Sequence, residues 1–330
     1  MATLYLTEQG SKITKTSERL IVEKDNQVLL QVPIIKIERI LIFGRVKITL
    51  PVFELLLNQG IPTAFLSING RLKGLLEPTC SKNVVLRIRQ YERTKDPNFK
   101  LRFARSIVRG KIQNQKRLVQ RFAGHHSEIN FKNYLTELNW LEDAINRKTS
   151  ISGIIGIEGQ ATAVYFSAYG KLFQDEIQFI RRTRRPPKDP INSLLSLGYT
   201  ILGNEYLSLL SAVGFDPYLS FYHTISYGRP SLALDLVEEL RHPVIDMLVL
   251  DLIGRRILKA KDFNEIQDGF YLTQKGRKEF FTHYERRMTQ EFIHPQENTV
   301  TNMRMVMRSQ VHKLMATVQS GKDYEPYFIG

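Results

Sequence analysis

The sequence predicts a two-domain α+β organisation, with a strand-rich N-terminal domain over residues 1–85 and a larger all-α domain over residues 86–330. Three observations lead there. Short runs rich in Val, Ile, Thr and Leu, separated by polar turns, fill the first 80 residues. From Val84 onward, apolar residues recur at helical spacing and β-branched runs become scarce. A chain of 330 residues, 42% of them apolar, is also long enough for two hydrophobic cores.

The expected strands are residues 3–6, 11–16, 19–23, 28–32 and 35–43, with turns at Glu8-Gln9-Gly10 and Lys24-Asp25-Asn26. Their lengths and turn spacing favour antiparallel over parallel pairing. One helix is expected at 51–58, because Pro51 fits a first turn and Gly60 a C-terminal stop. A strand at 61–67 and a hairpin around Asn69-Gly70 close the unit, and the boundary falls near residues 80–90, after Pro78.

Lys and Arg outnumber Asp and Glu by 47 to 33, a formal charge of +14. Such an excess opposes compaction and points to a polyanionic partner, nucleic acid above all. Cys80 is the only cysteine, which excludes an internal disulfide and suits a reduced compartment. Neither a signal segment nor a stretch of about 18 apolar residues is found, so the expectation is a cytoplasmic protein that does not span a membrane.

Two basic clusters carry the excess. Between Pro97 and Arg121 there are eight basic residues and no acidic one. Arg102, Arg105, Arg109 and Lys116 share one helical face, provided Gly110 does not break the helix. A one-signed stripe suits a phosphate backbone, whereas a solvated face normally mixes both signs. Arg181, Arg182, Arg184, Arg185 and Lys188 sit among Pro186, Pro187 and Pro190, in an expected loop that either binds nucleic acid or serves solubility.

Three segments are candidates for chemistry. Glu158 is a carboxylate in the small, apolar stretch Gly153 to Gly159, which lacks the ending of a phosphate loop. Read alone, it suits the first turn of a helix, where the dipole favours it, better than it suits a ligand. His223 follows an aromatic run, where a core histidine is the plainer reading. Asp235 and Glu238 lie three apart on an expected helix beside a row formed by Leu232, Leu236 and Leu240. Carboxylates with one imidazole suit Mn²⁺ or Mg²⁺, although acidic pairs at this spacing are common on solvated helices. His125 and His126 show no metal spacing. The absence of a Gly-x-Ser-x-Gly elbow argues against an α/β-hydrolase.

In these segments, and in order along the chain, the sequence resembles the CRISPR-associated integrase family Cas1. The matching stretches include Leu4 to Gly10, Phe43 to Val46, Gly60 to Leu66 and Gly156 to Gly159. Arg185-Pro186-Pro187, Asn192 to Ser196, Gly214 to His223, Gly228 to Arg241, Tyr271 to Thr273 and Tyr324 to Tyr327 follow. The resemblance implies a dimerising β domain and a helical catalytic domain. It implies a metal site of Glu158, His223 and Glu238 holding Mg²⁺ or Mn²⁺, with Asp235 beside it to position a second ion or a water. Glu239 is an adjacent alternative, but it points about 100° away on a helix. The implied activity is metal-dependent cleavage of DNA and insertion of spacer DNA into a CRISPR array by transesterification. The implied partners are double-stranded DNA, as spacer precursor and repeat, a second copy of the chain, and the Cas2 protein. The competing reading is a non-catalytic DNA- or RNA-binding protein whose acidic cluster is structural.

Overall fold

A computed structural model describes residues 2–76, 83–124, 129–173 and 177–330. Pro78, Cys80, His125 and His126 lie outside the described residues. The N-terminal strands are β1 (Ala2–Leu6), β2 (Lys12–Thr16), β3 (Arg19–Lys24), β4 (Gln27–Pro33), β5 (Ile37–Phe43), β6 (Lys47–Ile48), β7 (Thr63–Leu66) and β8 (Leu72–Leu76). Helix α1 (Leu50–Asn58) lies between β6 and β7, with Pro51 in its first turn. The expected strand at 35–43 starts late, because the chain makes a single 3-10 turn over Ile34–Lys36 after Pro33.

The strands form two four-stranded sheets, ordered β1-β5-β7-β8 and β4-β3-β2-β6. The second is mainly antiparallel, as expected, with β6 added in parallel. The first departs from expectation: β1, β5 and β7 are mutually parallel, and only β8 runs against its neighbour. The reason lies in β5, whose residues Ile40 to Phe43 are all buried. Ile40 and Ile42 face a small core with Ile13, Leu20, Val52 and Leu56, whereas Leu41 and Phe43 face the large core of the helical region. A strand covered on both faces reads as a continuous apolar run and tolerates parallel neighbours.

The helical region docks directly on that sheet. Its helices are α2 (Val84–Thr94), α3 (Pro97–Ala123), α4 (Lys132–Asn146), α5 (Ile151–Gly170), α6 (Pro190–Val213), α7 (Ser231–Leu240), α8 (Met247–Gly254), α9 (Gln274–Thr289) and α10 (Met303–Ser320). Phe281 of α9 stacks on Tyr5 at 4.6 Å and packs against Phe43 at 4.9 Å between ring centroids. The region is mostly rather than entirely helical. Two small hairpins interrupt it: β9 (Phe263–Ile266) with β10 (Gly269–Leu272), and β11 (Phe292–Ile293) with β12 (Val300–Thr301).

Helix α3 is the axis of this region. Asp96 caps it by accepting from the N–H groups of Asn98 and Phe99, at 2.9 and 3.1 Å, and Pro97 starts it. Phe99, Phe103, Ile107 and Leu118 bury its inner face. Gly110 does not break it. A β-carbon there would stand 2.7 Å from the ring of Pro326, so glycine admits the C-terminal segment against the helix. Among the described residues, no helix is long and apolar enough to cross a membrane.

Candidate active site

The site forms where α3, α5, α7 and the loop after α6 meet. Ser150 caps α5, accepting from the N–H of Gly153 at 3.2 Å, which sets Glu158 two turns into the helix. Its carboxylate therefore does not serve the first-turn dipole. Helix α7 continues through Arg241–Asp246 as a widened π turn before α8. Pro243 lies in this turn, where it has no N–H to donate to an α-helical ladder. Arg241 turns back and donates twice to Glu238 from Nη1, at 2.9 and 2.7 Å, while its guanidinium lies 4.1 Å from the centroid of the Tyr199 ring.

The structure brings Glu158, Glu238 and His223 together. The point of convergence is a residue that the sequence reading passed over. The amine of Lys111, from α3, contacts Glu158 Oε1 and lies 2.6 Å from Glu238 Oε2. His223 Nε2 stands 3.9 Å from Glu238 Oε1, and Tyr222 donates its hydroxyl to Glu158 Oε2 at 2.6 Å. Lys111 is only 1% exposed. A signal for it was present: nine residues from Arg102, it falls half a helical circumference away from the basic stripe, in the buried row of Ile107 and Leu118.

Both oxygens of Asp235, expected beside the site, are engaged by the loop that carries His223. Its Oδ1 accepts from the backbone N–H of His223 at 3.0 Å and pairs with the ring Nδ1 at 2.8 Å. Its Oδ2 accepts from the Ser220 hydroxyl and from the N–H groups of Phe221 and Tyr222, at 2.8, 3.1 and 3.2 Å. Fully buried and fully engaged, Asp235 shapes the loop and orients the imidazole so that Nε2 faces Glu238. Glu239 points away into a separate pocket.

The electrostatics follow from these contacts. Burial alone would raise the pKa of Glu238, but Arg241, Lys111 and His223 outweigh it and hold the carboxyl well below its ordinary range. Burial and the nearby Glu238 push Glu158 upward, yet Lys111 and the Tyr222 hydroxyl bring it below its usual value. Burial disfavours a charged His223, but the hydrogen bond and charge of Asp235, with Glu238 and Glu158, raise its pKa overall.

Oxygen from two glutamates and one imidazole nitrogen is a donor set suited to a hard divalent cation. The two carboxylates already share one cationic group, which is direct evidence that their charges converge. Among the described residues, no three His, Cys, Asp or Glu side chains close into a set ready to hold a metal ion. At this site the gap is taken by the Lys111 amine.

The basic stripe is not an open face. Arg102 donates to Asp323 and to the carbonyl of Gly321, at 2.8 and 3.1 Å, and Arg105 to the carbonyl of Lys148 at 2.6 Å. Arg109 bonds Asn146, and Lys116 reaches Glu142 at 2.7 Å. All four are half-buried and hold α3 to its neighbours. In the second cluster Arg182 is inward, bonded to Asn192 and Ser196 at 2.7 and 3.0 Å, whereas Arg181, Arg184, Arg185 and Lys188 are exposed.

Comparison with known proteins decides the family. Residues 4–286 match the family model described as CRISPR associated protein Cas1. The chain belongs to the Cas1 family. A relative from Thermus thermophilus, named CRISPR-associated endonuclease Cas1 3, is 35% identical over 88% of this chain and 84% of its own length. Another from Moorella thermoacetica, named CRISPR-associated endonuclease Cas1 1, is 33% identical over 98% of this chain and 97% of its own. A solved Cas1 protein from Thermotoga maritima superposes with a TM-score of 0.83 at 27% identity, covering 100% of this chain and 99% of that one. A casposase bound to an integration product has a TM-score of 0.86 at 24% identity, with 99% and 93% coverage, and shares the Cas1 fold.

Proposed function

We propose that this chain is a metal-dependent DNA endonuclease and integrase of CRISPR adaptation. The reading is supported by Glu158 and Glu238 sharing the Lys111 amine, with His223 Nε2 3.9 Å from Glu238 Oε1, within a Cas1 fold. Glu158 and Glu238 would hold Mg²⁺ or Mn²⁺ through oxygen and His223 through Nε2. When bound, the ion would polarise a phosphoryl oxygen and stabilise the leaving alkoxide. Asp235 keeps the imidazole turned towards Glu238, and the Tyr222 hydroxyl fixes the second oxygen of Glu158. In the proposed transesterification a DNA 3′-hydroxyl forms a bond to a target phosphorus as the existing ester bond breaks and frees a new 3′-hydroxyl. Water in place of that hydroxyl gives cleavage.

The exposed Arg181, Arg184 and Arg185 supply cations for duplex DNA as spacer precursor and repeat. Pairing with a second copy is supported by β4, an edge strand whose Val28, Leu29 and Leu30 are 61, 49 and 40% exposed. Cas2 as a partner is supported by a Cas6-RT-Cas1–Cas2 complex that superposes with a TM-score of 0.85 at 26% identity, over 99% of this chain and 36% of that one. The test is joining and cleavage of labelled DNA by the purified chain in Mn²⁺ or Mg²⁺, with and without chelator. The enzyme loses both activities in chelator while keeping DNA affinity. A non-catalytic binding protein shows affinity alone under every condition, and that result would retire the enzymatic reading.

A further inference from the structure

Lys111 presents a problem for any ion that enters this site. Its amine contacts Glu158 Oε1 and sits 2.6 Å from Glu238 Oε2, so one point charge already bridges the two carboxylates across the gap between α5 and α7. A buried and a half-buried carboxylate without a cation between them would repel in a poorly solvated space, a costly arrangement. Lys111 removes that cost within the protein itself.

The two cations around Glu238 differ in kind. Arg241 is held by two bonds to Glu238 and by the Tyr199 ring, on a rigid π turn of the same helix. Lys111 reaches in from a different helix on a four-carbon stem, and its amine bonds these two carboxylates. Arg241 is therefore held by two kinds of contact, and the Lys111 amine by the two carboxylates.

We propose that Lys111 is a tethered competitor for the metal position, and that a divalent ion loads between Glu158 and Glu238 only by displacing its amine. This rests on the metal-binding reading above. The carboxylate oxygens that contact the amine are those an ion needs, and two cations cannot share them at bonding distance. The amine keeps the empty site folded and raises the ion concentration at which the site fills.

The full-length chain, without DNA, is titrated with Mn²⁺ by calorimetry as wild type, Lys111→Met and Lys111→Arg. Methionine keeps the length and removes the charge. It is expected to tighten Mn²⁺ binding about tenfold or more, because no cation has to leave the carboxylates first. In chelator the same variant should melt below wild type, and Mn²⁺ should raise its melting temperature by more than it raises that of wild type. Lys111→Arg, with a larger planar cation, should bind Mn²⁺ no better than wild type. If Lys111→Met folds only with metal, it is purified in Mn²⁺ and stripped with increasing chelator. Retention beyond the wild-type point supports the competitor, and earlier loss overturns it. Mn²⁺ affinity equal to or weaker than wild type in Lys111→Met also overturns it, since a purely structural lysine would leave splayed carboxylates behind. Absence of Mn²⁺ binding by every form, wild type included, removes the metal-binding reading as well. Measurable wild-type binding that the methionine leaves unchanged removes the competitor alone.

Discussion

Glu238 and Glu239 are neighbours on α7, both buried, yet they occupy two opposite electrostatic environments. Glu238 faces Lys111, Arg241 and His223, and these charges outweigh burial to hold its pKa far down. Glu239, one step round the helix, accepts from the Tyr324 hydroxyl at 2.8 Å, the Gln310 amide at 2.9 Å and the Tyr327 N–H at 2.9 Å. Burial dominates there, the neutral donors compensate only partly, and the pKa is pushed up to about 7. Both glutamates are well hydrogen-bonded. What separates them is the formal charge of the partners, because neutral dipoles do not repay the desolvation of a full charge as a cation does. One pocket has the character of a cation site, and the other pins the C-terminal segment to α7.

The comparison breaks most visibly at Glu238. Glu238→Gln removes an anionic ligand and leaves Lys111 and Arg241 with one carboxylate fewer. We expect loss of strand joining on the order of 10²-fold or more. Metal-free stability should fall by about 3 kcal/mol, as for a broken buried ion pair. Joining at the wild-type rate in Mn²⁺, measured beside urea unfolding, would show that the charged pocket is not catalytic.

Glu239→Gln sharpens the other half. A carboxyl whose folded pKa lies near 7, above its ordinary 4.5, binds more protons folded than unfolded between those values. Its contribution to stability is therefore greatest at low pH, declines as pH rises from about 4.5 to about 7, and stays lost above. The decline amounts to about 3 kcal/mol at most. The glutamine variant stays neutral, so it should match wild type at pH ~5 and exceed it at pH ~8, with joining activity preserved. His223, whose pKa is also raised, contributes in the same direction in both proteins and cancels in the difference. Urea unfolding in chelator across this range is the check, and a constant difference between the two proteins would refute the contrast.

The smallest expected effects concern the arginines, which divide in the same way into inward and outward groups. Arg184→Glu with Arg185→Glu should weaken DNA binding and lower the salt slope by about one or two, with stability unchanged. Arg105→Glu with Arg109→Glu should instead cost stability first, about 1 kcal/mol per lost bond, since these residues tie α3 to Lys148 and Asn146. Salt-dependent DNA titrations beside unfolding curves separate the two pairs. The reverse pattern would make the α3 face the DNA surface after all.

Much of this molecule was legible from residue order. Turn residues and β-branched runs located the strands, and Pro51 and Gly60 bounded α1, because those signals act within a few bonds of backbone. The ordered motifs pointed to Glu158, His223 and Glu238 before any geometry was known. Only the tertiary structure decided that β1, β5 and β7 run parallel, since parallel pairing joins segments distant in the chain and depends on both faces of β5 being covered. It alone gave the stripe of Arg102, Arg105, Arg109 and Lys116 its intramolecular partners, which lie 26 or more residues away. It alone set Asp235 against the ring and backbone of His223, and Lys111 between two glutamates. Local sequence determines which way a side chain leaves its helix. The charge it meets there comes from another part of the chain, and that encounter determines what the residue does.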